Sequence, residues 1–455
     1  MRDPGAPDDR EEPSRPAAPA AGPARTFWGL LARPDFRMLL IGETTSKLGT
    51  SVTSVLLPLV AVSTLDASPF LVGLLTAAPW LPWLLVGLPA GAWVDRLPCR
   101  PVMLVCNAVS ATLFAAVPVA WWLGVLDIVH LLVVALLTGA ASVFFSTAYS
   151  TYLPSLVGAD ELLEGNAKLQ VGDQAARVAG PGLGGVVAQA VGSAPGLLLD
   201  VLSFLVSSVC LLRIKATERR PAPRRRRLRQ EIHDGLRFVA HDPYVRLITV
   251  FGAALNLALA SYQAVQVVFL VRAVGAEPGL VGVLISFGGL GGVAGGLAAR
   301  GLARRFGSAR ALLRIQFVAA PFALLIPLTE PGPRLALFVI GSTVLLAGVV
   351  ACNVIIVSFR QAYCPAGLIG RVTATTLVLN FSTIPLGAVI GGTVNTFLGS
   401  RATMWLVAAA LLVVNLPLLG SALRGLRDLP APAAAHGDGN TSASRSPEAR
   451  DRRAT

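Results

Sequence analysis

Two carboxylates and two cations stand inside runs apolar enough to cross a membrane, and both pairs have the same spacing. In "FRMLLIGETTSKLGTSVTSVLLPLVAV" Glu43 precedes Lys47 by four residues, and in "GDQAAR" Asp173 precedes Arg177 by four. On a helix, residues four apart share a face, and acid before base is the better order for an ion pair. Charges in hydrocarbon cost several kcal/mol unless paired or wetted, so a group of four that sums to zero fits a buried network. Its chemistry would be proton transfer, with one carboxylate taking a proton as the network rearranges. Three readings are open: proton coupling, a permanent brace between helices, and snorkelling toward one surface. Glu43 lies about six residues into its run and Asp173 about seven. At about 1.5 Å per residue both acids are roughly 10 Å deep and both bases roughly 16 Å deep.

The elements that must hold these residues are membrane helices. Of 455 residues, 54% are hydrophobic and only 14% charged, against about a quarter charged in soluble domains. Twelve spans are expected, at 37–64, 70–94, 101–124, 127–152, 166–192, 195–213, 245–271, 278–303, 309–329, 333–358, 371–398 and 401–423. Each suffices for about 30 Å of hydrocarbon as a helix, and runs of this length exclude the short alternating strands of a membrane barrel. The net charge of +13 would point a soluble protein toward nucleic acid. Here the basic residues fall between apolar spans, so the bilayer is the expected partner and nucleic acid is not. The five cysteines and four histidines are dispersed and form no metal spacing. No convergent catalytic cluster and no phosphate-binding loop are present, so neither an enzyme, a cofactor nor an ATP motor is expected.

Arg213 to Arg246 holds eleven Lys/Arg and divides the spans six and six. The positive-inside rule places it in the cytoplasm with Arg96/Arg100, Arg300/Arg304/Arg305/Arg310, Arg360/Arg371 and Arg424/Arg427. The opposite loops hold Arg272, Arg334 and Arg401, so both termini are expected in the cytoplasm. The expected organisation is a disordered tail over 1–26, a six-helix lobe over 27–213, a basic linker over 214–244, a second lobe over 245–427 and a tail over 428–455. The opening residues, rich in Pro and Ala, lack the apolar core of a leader. "LRQEIHDGLRFVAHD" reads as a short amphipathic helix at the inner surface. The halves echo each other: aligning Asp95 with Arg304 brings Arg96 onto Arg305 and Leu97 onto Phe306. Parallel six-span repeats are a transporter trait.

The six-plus-six layout with "GAWVDRLPCRPV" after the second span resembles the major facilitator superfamily. Gly91, Asp95, Arg96 and Arg100 match its loop signature, while Pro98 and Cys99 depart from it. "ASPFLVGLLTAAPWLPWLLVGLPAGAWVDR", "ARVAGPGLGG" and "LDVLSFLVSS" are similar to the actinobacterial branch related to macrolide-efflux and enterobactin-export proteins. The resemblance implies an all-α membrane protein of twelve helices in two pseudo-symmetric lobes. It also implies that Gly91, Asp95, Arg96 and Arg100 form a conformational gating loop, beside the plainer reading of a topology-fixing cluster. Arg304 at the equivalent of Asp95 prevents the same contact in the second half. Gly180, Pro181, Gly184 and Gly185 resemble the core of the family's antiporter motif, although Ala167 and Ala176 stand where its upstream glycines fall. In the family's fold, spans one and five are neighbours, which would set the two ion pairs face to face.

Ser46, Thr50, Tyr149, Asn256, Gln263, Asn353 and Asn380 are candidate cavity linings, each equally a candidate interhelical hydrogen bond. Asp200 is expected near the outer end of span six, as a helix cap or a proton relay. "SFGGLGGVAGGLAARG" is expected to pack helices through Gly288, Gly292 and Gly296. The second lobe's core lacks a buried charge, so a coupling site is expected in the first lobe and a mostly apolar cavity suits an amphiphilic substrate. With the resemblance, the implied function is secondary export, proton-coupled, of a small amphiphilic compound. Siderophore export and solute uptake are the alternatives within the same fold.

Overall fold

The computed structural model describes residues 29–94, 97–157, 161–215, 236–364, 368–420 and 422–430. Asp95, Arg96 and most of the basic linker lie outside the described residues, as do most of the two tails. Of the expected amphipathic helix only its last residues, from Leu236, are described.

All regular structure among the described residues is helical. In the first half α1 spans Pro34–Thr64. Next, α2 joins Pro69–Ala77 to Leu81–Val94 through a tight turn at Ala78–Trp80, where Pro79 lacks the backbone donor of a regular helix. Then come α3 (Cys99–Trp122), α4 (Ile128–Val157), α5 (Leu162–Val191) and α6 (Leu198–Arg213). The second half holds α7 (Pro243–Ala273), α8 (Pro278–Phe306), α9 (Ser308–Leu328), α10 (Leu335–Tyr363), α11 (Ile369–Leu398) and α12 (Ser400–Val413). Eleven of the twelve, with α6 taken from Ser193 and α12 to Leu418, are long and apolar enough to cross a membrane. The other, α5, is as long at 30 residues and carries Glu164, Lys168, Asp173 and Arg177. Every expected span has its helix, and α10 runs five residues past its expected end to Tyr363.

The internal repeat has a register. A shift of 209 residues carries Pro34–Leu59 onto Pro243–Val268, and the π-turn Val60–Thr64 that ends α1 onto Phe269–Ala273. A shift of 207 carries Leu162–Val191 onto Ile369–Leu398 and Gly192 onto Gly399. Both glycines take positive φ at a helix end, where a Cβ would be strained. Asp66, at φ 44°, holds the same left-handed conformation that its repeat partner Gly275 adopts at φ 72°.

Within the first lobe α1 packs on α5 and α6, and α4 on α2 and α3. Within the second, α7 packs on α11 and α8 on α10. Two seams join the lobes, α5 on α8 and α2 on α11, and the repeat carries one seam onto the other. Large apolar side chains such as Leu85, Leu297 and Phe397 point outward, as lipid-facing residues do. The basic turns after α2 and α8 mark one end of the bundle, called here the basic end. At the opposite end all three arginines meet an acid. Arg272 Nη2 lies 2.7 Å from Asp66 Oδ1, Arg401 Nη1 lies 3.5 Å from Glu330 Oε1, and Arg334 pairs with the same Glu330.

Candidate functional site

The α1–α5 seam is close because α5 offers glycines to α1. A Cβ on Gly172 would fall 2.3 Å from Thr44 Oγ1, and one on Gly180 would fall 2.3 Å from Ser51 Cβ. That approach sets Glu43 and Asp173 side by side at one depth. The Glu43 carboxylate is within electrostatic reach of Asp173 on α5 and of Tyr149 on α4. In each ion pair the acid is sheltered and the base reaches outward: side-chain exposures are 10% and 47% for Glu43 and Lys47, and 19% and 64% for Asp173 and Arg177. The pairs differ in tightness. Arg177 Nε donates to Asp173 Oδ2 at 2.9 Å, whereas Lys47 Nζ stands 3.7 Å from Glu43 Oε1, beyond hydrogen-bond range. Glu43 is therefore the less firmly held acid.

The second lobe repeats the position with neutral groups. The repeat carries Lys47 onto Asn256, Asp173 onto Asn380 and Glu43 onto Gly252. The Asn380 amide packs where a Gly252 Cβ would stand, 3.3 Å away, and its Oδ1 is buried without a hydrogen-bond partner. Ser46 is buried, Tyr149, Asn256 and Asn380 are half-buried, and Thr50, Gln263 and Asn353 are exposed. Thr50 Oγ1 donates to the Ser46 carbonyl at 3.0 Å. Among the described residues no hydrogen bond joins any two of these seven across helices.

The antiporter-like motif divides its work. Gly180 and Gly184 face α1 inside the lobe, while Pro181 and Gly185 face α8 across the lobe boundary. A Cβ on Gly282 of α8 would sit 2.3 Å from the Pro181 carbonyl and 2.6 Å from Gly185 Cα. Its counterpart on the other seam is Gly73 of α2, whose Cβ would sit 2.6 Å from the Ala388 carbonyl and 2.8 Å from Gly392 Cα. Toward the end opposite the basic one, Gln189 donates to Glu277 at 3.1 Å, and Arg272 bonds Asp66 and the Ala67 carbonyl. Toward the basic end, Trp80 and Trp83 meet Phe381. The glycine seams and these polar bonds hold the lobes together toward the end opposite the basic one.

The loop signature is placed in part. Gly91 lies in α2, and Arg100 Nη2 donates to the Leu212 carbonyl at 2.6 Å, capping the last turn of α6. In α8 the closest packing on α10 falls at Gly291 and Gly295, whose Cβ atoms would meet the Thr343 and Ala347 carbonyls at 2.1 and 2.0 Å. Of the expected glycines, Gly288 meets Leu346 Cδ1 at 2.8 Å, while Gly292 and Gly296 meet only Val350, at 3.3 and 3.6 Å.

Asp200 differs most from expectation. The residue capping α6 is Leu197, which makes no side-chain cap bond, and Asp200 is only 1% exposed. Thr53 Oγ1 donates to its Oδ2 at 2.6 Å and Ser203 Oγ to its Oδ1 at 2.9 Å. Thr53 lies near the middle of α1, so Asp200 sits deep in the lobe and caps nothing. A sequence signal existed in Gly49, where a Cβ would fall 2.3 Å from Asp200 Oδ1.

Two six-helix lobes related by repeat, meeting at two equivalent glycine seams, with charges inside the membrane, define a transporter of the major facilitator kind. Solved structures share the fold. A nucleoside transporter, NupG, matches at TM-score 0.69 with 14% identity, covering 86% of this chain and 99% of that one. A bacterial homolog of the human lysosomal transporter Spinster, inward-facing and unoccupied, matches at 0.66 with 15% identity, covering 86% and 96%. The chain belongs to the transmembrane secretion effector family of that superfamily, whose model matches residues 25–440. Among its relatives, the multidrug efflux pump Tap of Mycolicibacterium fortuitum is 28% identical over 410 residues, 85% of this chain and 94% of that protein. Tap of Mycobacterium tuberculosis is 29% identical over 380 residues, 78% and 85% of the two chains.

Proposed function

We propose that this protein exports small amphiphilic compounds in exchange for protons, by alternating access of its two lobes. The observation that carries the reading is the asymmetry of the repeat. One lobe holds Glu43, Lys47, Asp173 and Arg177 where the other holds Gly252, Asn256, Asn380 and Ile384, so proton chemistry belongs to the first lobe and an uncharged surface to the second. The names of the Tap relatives support efflux. The basic end is assigned to the cytoplasm, with both termini, because arginines concentrate there while the opposite end holds Arg272, Arg334 and Arg401. On that assignment the contacts at Gly185–Gly282, Gly73–Gly392 and Arg272–Asp66 lie on the outer side, which supports reading this conformation as inward-facing.

Ser46, Thr50, Tyr149, Asn256, Gln263, Asn353 and Asn380 line the cavity in this reading, with Thr50, Gln263 and Asn353 the exposed ones. Substrate enters between the lobes, the seams at Gly185–Gly282 and Gly73–Gly392 part, and the lobes of residues 27–213 and 245–427 rock about the site. Glu43 takes a proton from outside as substrate leaves and releases it inside on return. Lys47, held only coulombically, is free to follow the change in charge, while Asp173 and Arg177 keep the α1–α5 register. Gly91, Asp95, Arg96 and Arg100 gate the cytoplasmic end.

The test is Glu43→Gln in energised inverted vesicles, with ethidium as probe. Net transport is expected to be lost while exchange of ethidium across the membrane persists. Unchanged net transport would remove Glu43 from the coupling role.

A further inference from the structure

Asp200 is a membrane-embedded carboxyl that the Glu43 group does not use. None of the ion pairs among the described residues includes it, and both its oxygens are held by hydroxyls. We propose that Asp200, cradled by Thr53 and Ser203, is a second proton-binding carboxyl of the first lobe, separate from Glu43.

The partners are what point to a proton. Ammonium, guanidinium and amide N–H groups can only donate, so they satisfy a carboxylate and oppose its acid form. A hydroxyl donates or accepts, so it fits both forms. When Asp200 is ionised, Thr53 donates to Oδ2. When Oδ2 carries the proton, it donates to Thr53 Oγ1, and the threonine proton turns to another acceptor. Ser203 already has its alternative, the Asp200 backbone carbonyl at 2.8 Å. One proton is gained, Ser203 keeps a hydrogen-bond partner in both forms, and a helical threonine can turn its proton to a carbonyl one turn back.

The repeat supplies the control. It carries Asp200 onto Val407, Ser203 onto Ala410, Gly49 onto Ala258 and Thr53 onto Tyr262. Val407 and Ala258 are buried, so the second lobe makes the same joint from apolar groups. Packing α1 against α6 does not require a carboxyl there. Gly49 does more than allow close packing, because its missing Cβ is the space that Asp200 Oδ1 and Ser203 Oγ occupy.

The helices packed on α6 are α1 and α3. From α1, Gly49 and Thr53 face Asp200. The charged residues of that helix, Lys47 and Glu43, lie two and six residues before Gly49, about 3 and 9 Å along the axis, and Lys47 reaches outward to pair with Glu43. On α3 the titratable groups are Cys99, Arg100 and Cys106, all near its cytoplasmic end, with Arg100 engaged by Leu212. No fixed charge therefore dictates the state of Asp200.

This inference rests on the proton-coupled reading, and two assays on the full chain separate them. In reconstituted protein, pH-difference infrared spectroscopy reads the carboxylic C=O stretch. A titrating band is expected in wild type and in Glu43→Gln, lost in Asp200→Asn, with its midpoint moved in Thr53→Val, which keeps the carboxyl and guards against a folding defect. A band that survives unchanged in Asp200→Asn, or a wild type with no such band beyond that of Glu43, overturns the proposal. In inverted vesicles Asp200→Asn is expected to lose uphill, protonophore-sensitive ethidium accumulation and keep downhill movement; retained uphill accumulation also overturns it. If wild-type accumulation ignores the protonophore while the Asp200 band titrates, the coupled-export reading fails and the proton site stands.

Discussion

Replacing Gly282 with alanine tests whether the glycine seams are the outer gate. The added Cβ would stand 2.3 Å from the Pro181 carbonyl oxygen, 2.6 Å from Gly185 Cα and 2.7 Å from Gly185 N. Ordinary contacts between carbon atoms are about 3.5–4.0 Å, so α5 and α8 must part by roughly 1 Å. These are backbone atoms and cannot rotate away. Overpacking of this kind costs about 1–3 kcal/mol. The cost falls only on the state in which the seam is closed, so it shifts the equilibrium toward the outward-open state by about 5–150-fold. The assay is labelling of Ser286→Cys from outside intact cells with a membrane-impermeant maleimide. Ser286 lies one turn below Gly282, behind the seam, and the five native cysteines are buried. Labelling is expected to rise in Gly282→Ala. It should not rise in Gly296→Ala, where the new Cβ meets only Val350 Cγ1 at an ordinary 3.6 Å. No rise in Gly282→Ala, or an equal rise in both, would refute the gate.

The other predictions use the same quantities. Arg272→Ala removes the 2.7 Å contact to Asp66 across the outer end, but Asp66 is 94% exposed. An exposed pair is worth about 0.2–1 kcal/mol, so Ser286→Cys labelling should rise less than with Gly282→Ala. Gly49→Ala places a Cβ 2.1 Å from Ser203 Oγ and 2.3 Å from Asp200 Oδ1, forcing α1 from α6. Its melting temperature should fall, by a destabilisation of about 1–3 kcal/mol, while Gly301→Ala, with open space around it, should melt as wild type does.

The chain's twelve helices were legible because a run of about 20 apolar residues in lipid has no other way to satisfy its backbone. The matched depth of Glu43 and Asp173 was legible too, because both spans enter from the same end and rise is fixed per residue. What sequence left open depended on contacts between distant residues. Asp200 follows Leu197–Leu199 near a helix start and so reads as a cap, yet its environment is set by Thr53, 147 residues away. The stripe in α8 was legible as packing, and Gly288 faces α10 as expected, but the closest backbone approach falls at Gly291 and Gly295, because both faces are small and only the position of α10 selects between them. The double duty of the α5 glycines was hidden for the same reason: Gly184 and Gly185 are adjacent in sequence, and only the fold turns one to α1 and the other to α8.

The most direct test of proton-coupled export uses the wild-type chain in inverted vesicles carrying a pH gradient acid inside. Ethidium should accumulate while the gradient stands and leave when a protonophore collapses it, and its addition should draw protons out of the vesicle lumen. Accumulation that persists after the gradient is gone would contradict the central claim.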